Sequence, residues 1–173
     1  IGGARVNQET GAYTEYRDDL SATTVRADGG LFEYDKYKNL NSVDLGGGRT
    51  ARYERDETRA ITTGEVIDGA GNKTVSVADG SREIDTADGR HLAYDSAGLL
   101  ASVERPDHST VSVERGEDGT IERLVDSKSA IAFQRQPDGS YLQEGSQPPD
   151  LIENAEAFFN EDGTYGFRNE ERE

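Results

Sequence analysis

A chain of 173 residues carrying 35 acidic and 19 basic side chains has a formal net charge of −16, which repels phosphate backbones and anionic surfaces and argues against nucleic-acid partners. It contains no Cys, Met or Trp, which excludes disulfides and thiolate chemistry and leaves zinc only two His and carboxylates. Apolar residues make up 32%, low for a globular domain, and no apolar run approaches the roughly 18 residues of a membrane span, so no membrane insertion is expected. In chain order, residues 1–9 read as a loose N-terminal segment, to be ordered by a partner if at all, and a start at Ile1 predicts a processed or excised chain. Residues 10–146 then repeat. Similar starts fall at Thr10-Gly11, Asp28-Gly29, Gly47-Gly48, Asp68-Gly69, Asp88-Gly89, Asp107-His108 and Asp126-Ser127, a period of about 20 that signals a stacked array.

Each block reads as a β-hairpin. The first arm alternates apolar and polar residues, as in Leu92 and Tyr94, Val111 and Val113, or Ile131 and Phe133, which puts the apolar side chains on one strand face. Turns rich in Asp and Gly follow, such as Asp95-Ser-Ala-Gly98 and Gly116-Glu-Asp-Gly119, residues that tolerate positive φ. Tyr16, Tyr34, Tyr53, Val75, Tyr94, Val113 and Phe133 occupy equivalent first-arm positions and are the expected structural anchors. Val25, Val43, Ile61, Ile84, Val103 and Leu124 hold the second arm. The expected fold is all-β. About seven hairpin repeats form an extended, twisted antiparallel sheet or β-solenoid-like structure with a thin core, one face apolar and the other solvated.

Residues 147–173 depart from the period. The boundary falls at Gln147-Pro-Pro-Asp150. A short helical turn over 150–155 is expected, with Asp150 as N-cap and Glu153 in the capping-box position. A final hairpin, Ala155–Phe159 with Thr164–Arg168 around Asn160-Glu-Asp-Gly163, follows. The last residues, 169–173, are charged and read as frayed. The whole reads as one domain.

The chemistry-bearing residues are few. Asp68, Asn72, Asp118 and Asp162 gather oxygen donors in turns, the donor type that calcium takes, yet none has the spacing of an EF-hand or a Gly-Gly-x-Gly-x-Asp repeat, and Asp-Gly is first a turn former. His91 and His108 fall at similar places in adjacent units, where Ser109 or Ser112 would be their nucleophile partners. No nucleophile elbow is present, so no catalytic residue and no cofactor is expected. Tyr13, Tyr37 and Tyr141 are aromatic candidates for stacking on sugars.

Tyr94-Asp95-Ser-Ala-Gly98-Leu-Leu100 after Asp88-Gly89 resembles the tyrosine–aspartate repeat of the Rhs family, and Tyr34-Asp35 is a degenerate copy. That resemblance implies a secreted or cell-surface protein. The expected role is a structural or adhesive subunit of a filament or appendage, joined by strand pairing. The alternative is a carbohydrate- or protein-binding module of a larger secreted Rhs-like protein or toxin.

Overall fold

The computed structural model describes residues 2–145 and 150–169. The boundary residues Gln147-Pro-Pro149 and residues 170–173 of the segment expected to fray lie outside them. Every regular element among the described residues is a β-strand, as the alternating pattern requires. The chain divides into two compact units, residues 1–79 and 80–173, and each is taken by itself.

The N-terminal unit holds β1 (Gly3–Val6), β2 (Tyr13–Tyr16), β3 (Ala22–Val25), β4 (Leu31–Tyr34), β5 (Leu40–Gly46), β6 (Arg49–Arg55), β7 (Ile61–Ile67) and β8 (Lys73–Val77). Each pairs antiparallel with its neighbour in sequence, from Gly3↔Tyr16 in the first pair to Ile67↔Lys73 in the last. The segment read as loose thus contains a strand of this chain's own sheet. The C-terminal unit holds β9 (Arg82–Asp85), β10 (His91–Tyr94), β11 (Leu100–Glu104), β12 (Thr110–Arg115), β13 (Ile121–Asp126), β14 (Ile131–Arg135), β15 (Tyr141–Glu144), β16 (Leu151–Ile152), β17 (Ala155–Phe159) and β18 (Tyr165–Asn169). Here β9 to β16 form an antiparallel meander in chain order, and β17 and β18 form a separate hairpin. The order is linear, so the meander does not close into a barrel.

The expected helical turn at 150–155 is corrected to strand. Leu151 and Ile152 pair with Leu142 and Tyr141, because the free edge of β15 offers unpaired backbone groups to an apolar dipeptide. Asn154 then adopts a φ of 51°, a left-handed conformation that ends any helix begun at Asp150.

Turn chemistry sets the register. Asp28, Asp107, Asp118, Asp138 and Asp162 each accept the backbone N–H two residues on. Asp35, Asp68 and Asp95 each accept two backbone N–H groups, two and four residues on. Side-chain capping of this kind is why Asp recurs at the turns. Gly29 and Gly89 follow their aspartates at φ of 84° and 89°, a region where a Cβ is penalised.

The core is thin and lies in the C-terminal unit. Val111, Val113, Ile121, Leu124, Phe133 and Tyr141 form one buried cluster, and Leu92, Tyr94, Leu100 and Val103 form another. Register explains why they meet: Leu92, Val103 and Val111 lie in one cross-strand row, and Val113, Leu124 and Phe133 in the next. Among the described residues of the N-terminal unit, Ala22 alone of the hydrophobic side chains is buried. There the same rows carry Thr14, Thr24, Gly64 and Ser76, side chains too small or polar to build a core.

Of the seven anchors, Tyr94, Val113 and Phe133 are buried, Tyr34 and Tyr53 are half-buried, and Tyr16 is 36% exposed. Val75 falls on the opposite face. The row that contains Tyr53 continues through Gly64 to Ser76, one residue beyond Val75, because strand side chains alternate and a one-residue offset changes the face.

Candidate binding face

The hairpin β17–β18 covers one face of the C-terminal meander. Phe159 packs on Leu92, Tyr94, Leu100 and Val103. Phe167 meets the rings of Phe133 and Tyr141 at 4.8 and 5.0 Å, tilted arrangements that suit ring quadrupoles. Polar contacts pin the hairpin turn. Arg105 donates to the Gly163 carbonyl at 2.8 Å and to Asp126 at 3.0 Å, and the Tyr165 hydroxyl donates to Asp126 at 3.0 Å. Arg90 donates to the Glu161 carbonyl at 2.8 Å, and the Tyr94 hydroxyl donates to the Glu161 carboxylate. Burial pushes the Tyr94 hydroxyl pKa up, and the Glu161 carboxylate reinforces the shift. Burial by itself raises the Asp126 carboxyl, but hydrogen bonds from Arg105, the Lys128 amide and Tyr165 outweigh it and hold the carboxyl below its usual range.

Residues 22–43 of the N-terminal unit repeat the arrangement of residues 82–103. Ala22↔Tyr34 and Thr24↔Phe32 match Arg82↔Tyr94 and Ile84↔Leu92. Both copies place a register irregularity immediately before the tyrosine. Phe32, Tyr34, Leu40 and Val43 therefore stand where Leu92, Tyr94, Leu100 and Val103 stand. All four are half-buried, and they belong to neither buried cluster.

One substitution between the copies opens a cleft. In the C-terminal unit the Arg82 guanidinium lies over the Tyr94 ring at 4.2 Å. Ala22 takes that place in the N-terminal unit, and a cleft of about 400 Å³ lies there. Tyr16 and Tyr34 line it, Lys36 and Lys38 stand at it, and Thr14 and Thr24 contribute to its lining. The two threonine hydroxyls are 2.9 Å apart and hydrogen-bonded to each other. Neither lysine forms a salt bridge among the described residues. The nearby Asp35 carboxylate is engaged by Asn39 Nδ2 and by the Tyr37 and Asn39 amides, and the Asn39 side chain first of all holds its pKa below the ordinary value. Pattern reading missed this cleft. Its signal was the small residue at Ala22 where the matched repeat has Arg82.

The residues singled out from sequence do other work. Asp68 accepts from the Ala70 and Asn72 amides and from Asn72 Nδ2, and Asp118 and Asp162 cap Thr120 and Thr164. Their oxygens serve their own turns, and no group of three or more His or acidic residues able to hold a metal occurs among the described residues. His91 Nδ1 lies 2.7 Å from Asp85, and His108 Nδ1 lies 2.7 Å from Glu104. Neither ring is hydrogen-bonded to a serine among the described residues. Ser109 Oγ instead donates to Asp107. His108→Ala is expected to leave urea stability within about 0.5 kcal/mol, as for a solvated surface position. Tyr141 is 1% exposed, so its ring is a core element and has no face for a sugar. Tyr37 is 51% exposed, with the Arg59 guanidinium 3.8 Å above its ring.

No family model matches the chain, and no curated protein matches it. Solved structures do. The TCP10 domain of Danio rerio CPAP, solved with a peptide of Danio rerio STIL, is 11% identical with a TM-score of 0.44, over 98% of this chain and all of that one. The TCP10c domain of Drosophila melanogaster Sas-4 is 13% identical with a TM-score of 0.47, over 88% of this chain and 98% of that one. The CPAP G-box domain, for which a role in centriole elongation is suggested, is 15% identical with a TM-score of 0.30. These findings correct the resemblance to tyrosine–aspartate repeats of the Rhs type. That resemblance rested on one complete motif copy, which the structure explains as a hairpin anchor and its turn. The expectations of an extracellular or cell-surface location and of an adhesive or filament-forming role fall with it. A carbohydrate partner finds no support.

Proposed function

We propose that this chain is a non-enzymatic protein-binding module that receives a partner segment on the face of its N-terminal unit carrying Ala22, Phe32, Tyr34 and Val43. One observation carries the reading. The register-matched face of the C-terminal unit is covered by an aromatic hairpin, whereas in the N-terminal unit the equivalent Phe32, Tyr34, Leu40 and Val43 stay half-buried, and Tyr34 lines a cleft together with Ala22. Such a groove, with apolar and aromatic walls and a few polar groups, suits a protein segment. Catalysis lacks a comparable constellation of nucleophile, base and orienting group among the described residues.

The variant Ala22→Arg tests the reading. It installs the residue that the matched position already tolerates, so the sheet should fold and the guanidinium should stack on Tyr34. Peptide-display selection against the full chain is expected to enrich binders that lose at least about tenfold in affinity for Ala22→Arg, the loss that follows from filling a pocket. If every enriched peptide binds Ala22→Arg as well as the parent chain, the reading fails.

A further inference from the structure

We infer that the cleft over Ala22 recognises an acidic, aromatic protein segment: a partner aromatic ring seats between Tyr16 and Tyr34, and a neighbouring partner carboxylate meets Lys36 and Lys38. This deepens the protein-binding reading and rests on it.

The chain supplies its own precedent. On the matched face of the C-terminal unit the covering segment brings Phe159 onto the cluster that contains Tyr94 and, two residues later, Glu161 to the Tyr94 hydroxyl. An aromatic residue followed closely by a carboxylate is therefore the chemistry this repeat accepts. The N-terminal copy keeps the tyrosine and the apolar positions. It replaces the arginine with alanine, which leaves room for a ring above Tyr34.

Charge selects the same partner. In a chain of net charge −16, this cleft is bordered by Lys36 and Lys38, and Arg5 lies across from Thr14 in the same cross-strand row. The one acid lining the cleft, Asp35, is occupied by its own turn. Basic groups at a groove rim favour an acidic ligand and speed its arrival. A basic or neutral segment would gain nothing from them.

The probe is a head-to-tail cyclised peptide of residues 155–169, titrated into the isotope-labelled full chain and followed by amide chemical shifts. Shifts are expected at Tyr16, Ala22 and Tyr34. Affinity should fall about tenfold in the double variant Lys36→Glu, Lys38→Glu, and by a similar factor when the peptide carries Glu161→Gln or Phe159→Ala. Raising salt should weaken binding to the parent chain and much less to the double variant. The lysines lie in an exposed turn, so their exchange leaves the sheet intact. Absence of shifts at these residues, shifts confined to residues 92–141, or an affinity indifferent to the lysines would overturn the inference. If display still yields binders sensitive to Ala22→Arg, and these are neutral or basic, the protein-binding reading survives and only the acidic-partner inference falls.

Discussion

Truncating Tyr141 to Ala is expected to destabilise the C-terminal unit by about 3–5 kcal/mol, the range for deleting a buried aromatic side chain. Tyr141 is 1% exposed, packs on Phe167, and donates its hydroxyl to the Ile121 carbonyl at 2.6 Å. Loss of the ring removes apolar burial and leaves a void, while loss of the hydroxyl leaves a buried carbonyl without this donor. Tyr141→Phe isolates the second effect and should cost about 1 kcal/mol. Tyr16→Ala is the control from the other unit. The residue is 36% exposed, so the cost should stay below about 1.5 kcal/mol. Urea midpoints at constant slope measure all three. Equal losses at Tyr16 and Tyr141 would show that the core is not concentrated where the burial places it.

The second large effect is expected at Asp126. Its side chain is 8% exposed and that of its partner Arg105 is 18% exposed. Asp126→Ala removes the charge partner of the Arg105 guanidinium and the acceptor of the Tyr165 hydroxyl, and should cost about 2–4 kcal/mol, somewhat under the usual figure for a fully buried pair. The hairpin β17–β18 should loosen first, because Arg105 also holds its Gly163 carbonyl. Loss of near-ultraviolet dichroism ahead of the sheet signal would report this. The same contact makes a pH prediction. The folded Asp126 carboxyl sits below its unfolded value, so its stabilisation is fully present above about pH 4 and is lost as pH falls through the folded value. Acid should therefore release the hairpin before the meander, and Asp126→Asn should remove that part of the acid sensitivity. A hairpin equally acid-sensitive in Asp126→Asn would refute the assignment.

Much of the fold was legible because turns and strands are local. Turn-capping Asp residues, several of them in Asp-Gly pairs, mark many of the reversals, and alternation at Leu92 and Tyr94 or Val111 and Val113 marks the strand faces. The hairpin around Asn160-Glu-Asp-Gly163 was visible for the same reason. What remained hidden is non-local. Nothing in the segment 155–169 says that Phe159 will lie on the cluster around Tyr94, or that Glu161 will take the Tyr94 hydroxyl. Val75 was assigned to the wrong face because one residue of offset cannot be seen in a strand written Lys-Thr-Val-Ser-Val. The cleft required a comparison between copies, Ala22 against Arg82, and that pair is aligned only once the register is known. The tyrosine–aspartate motif misled because a buried anchor followed by a turn-capping aspartate is a structural solution that unrelated sequences reach.

The chain-order pairing has a kinetic consequence. Within each unit every strand of the meander bonds only to strands adjacent in sequence, so contact order is low for an all-β protein, and folding pays little loop-closure entropy. Formation can start at any well-made hairpin and spread outward strand by strand. Opening follows the reverse route, with the coreless N-terminal strands exchanging their amide hydrogens long before those of β12 and β13.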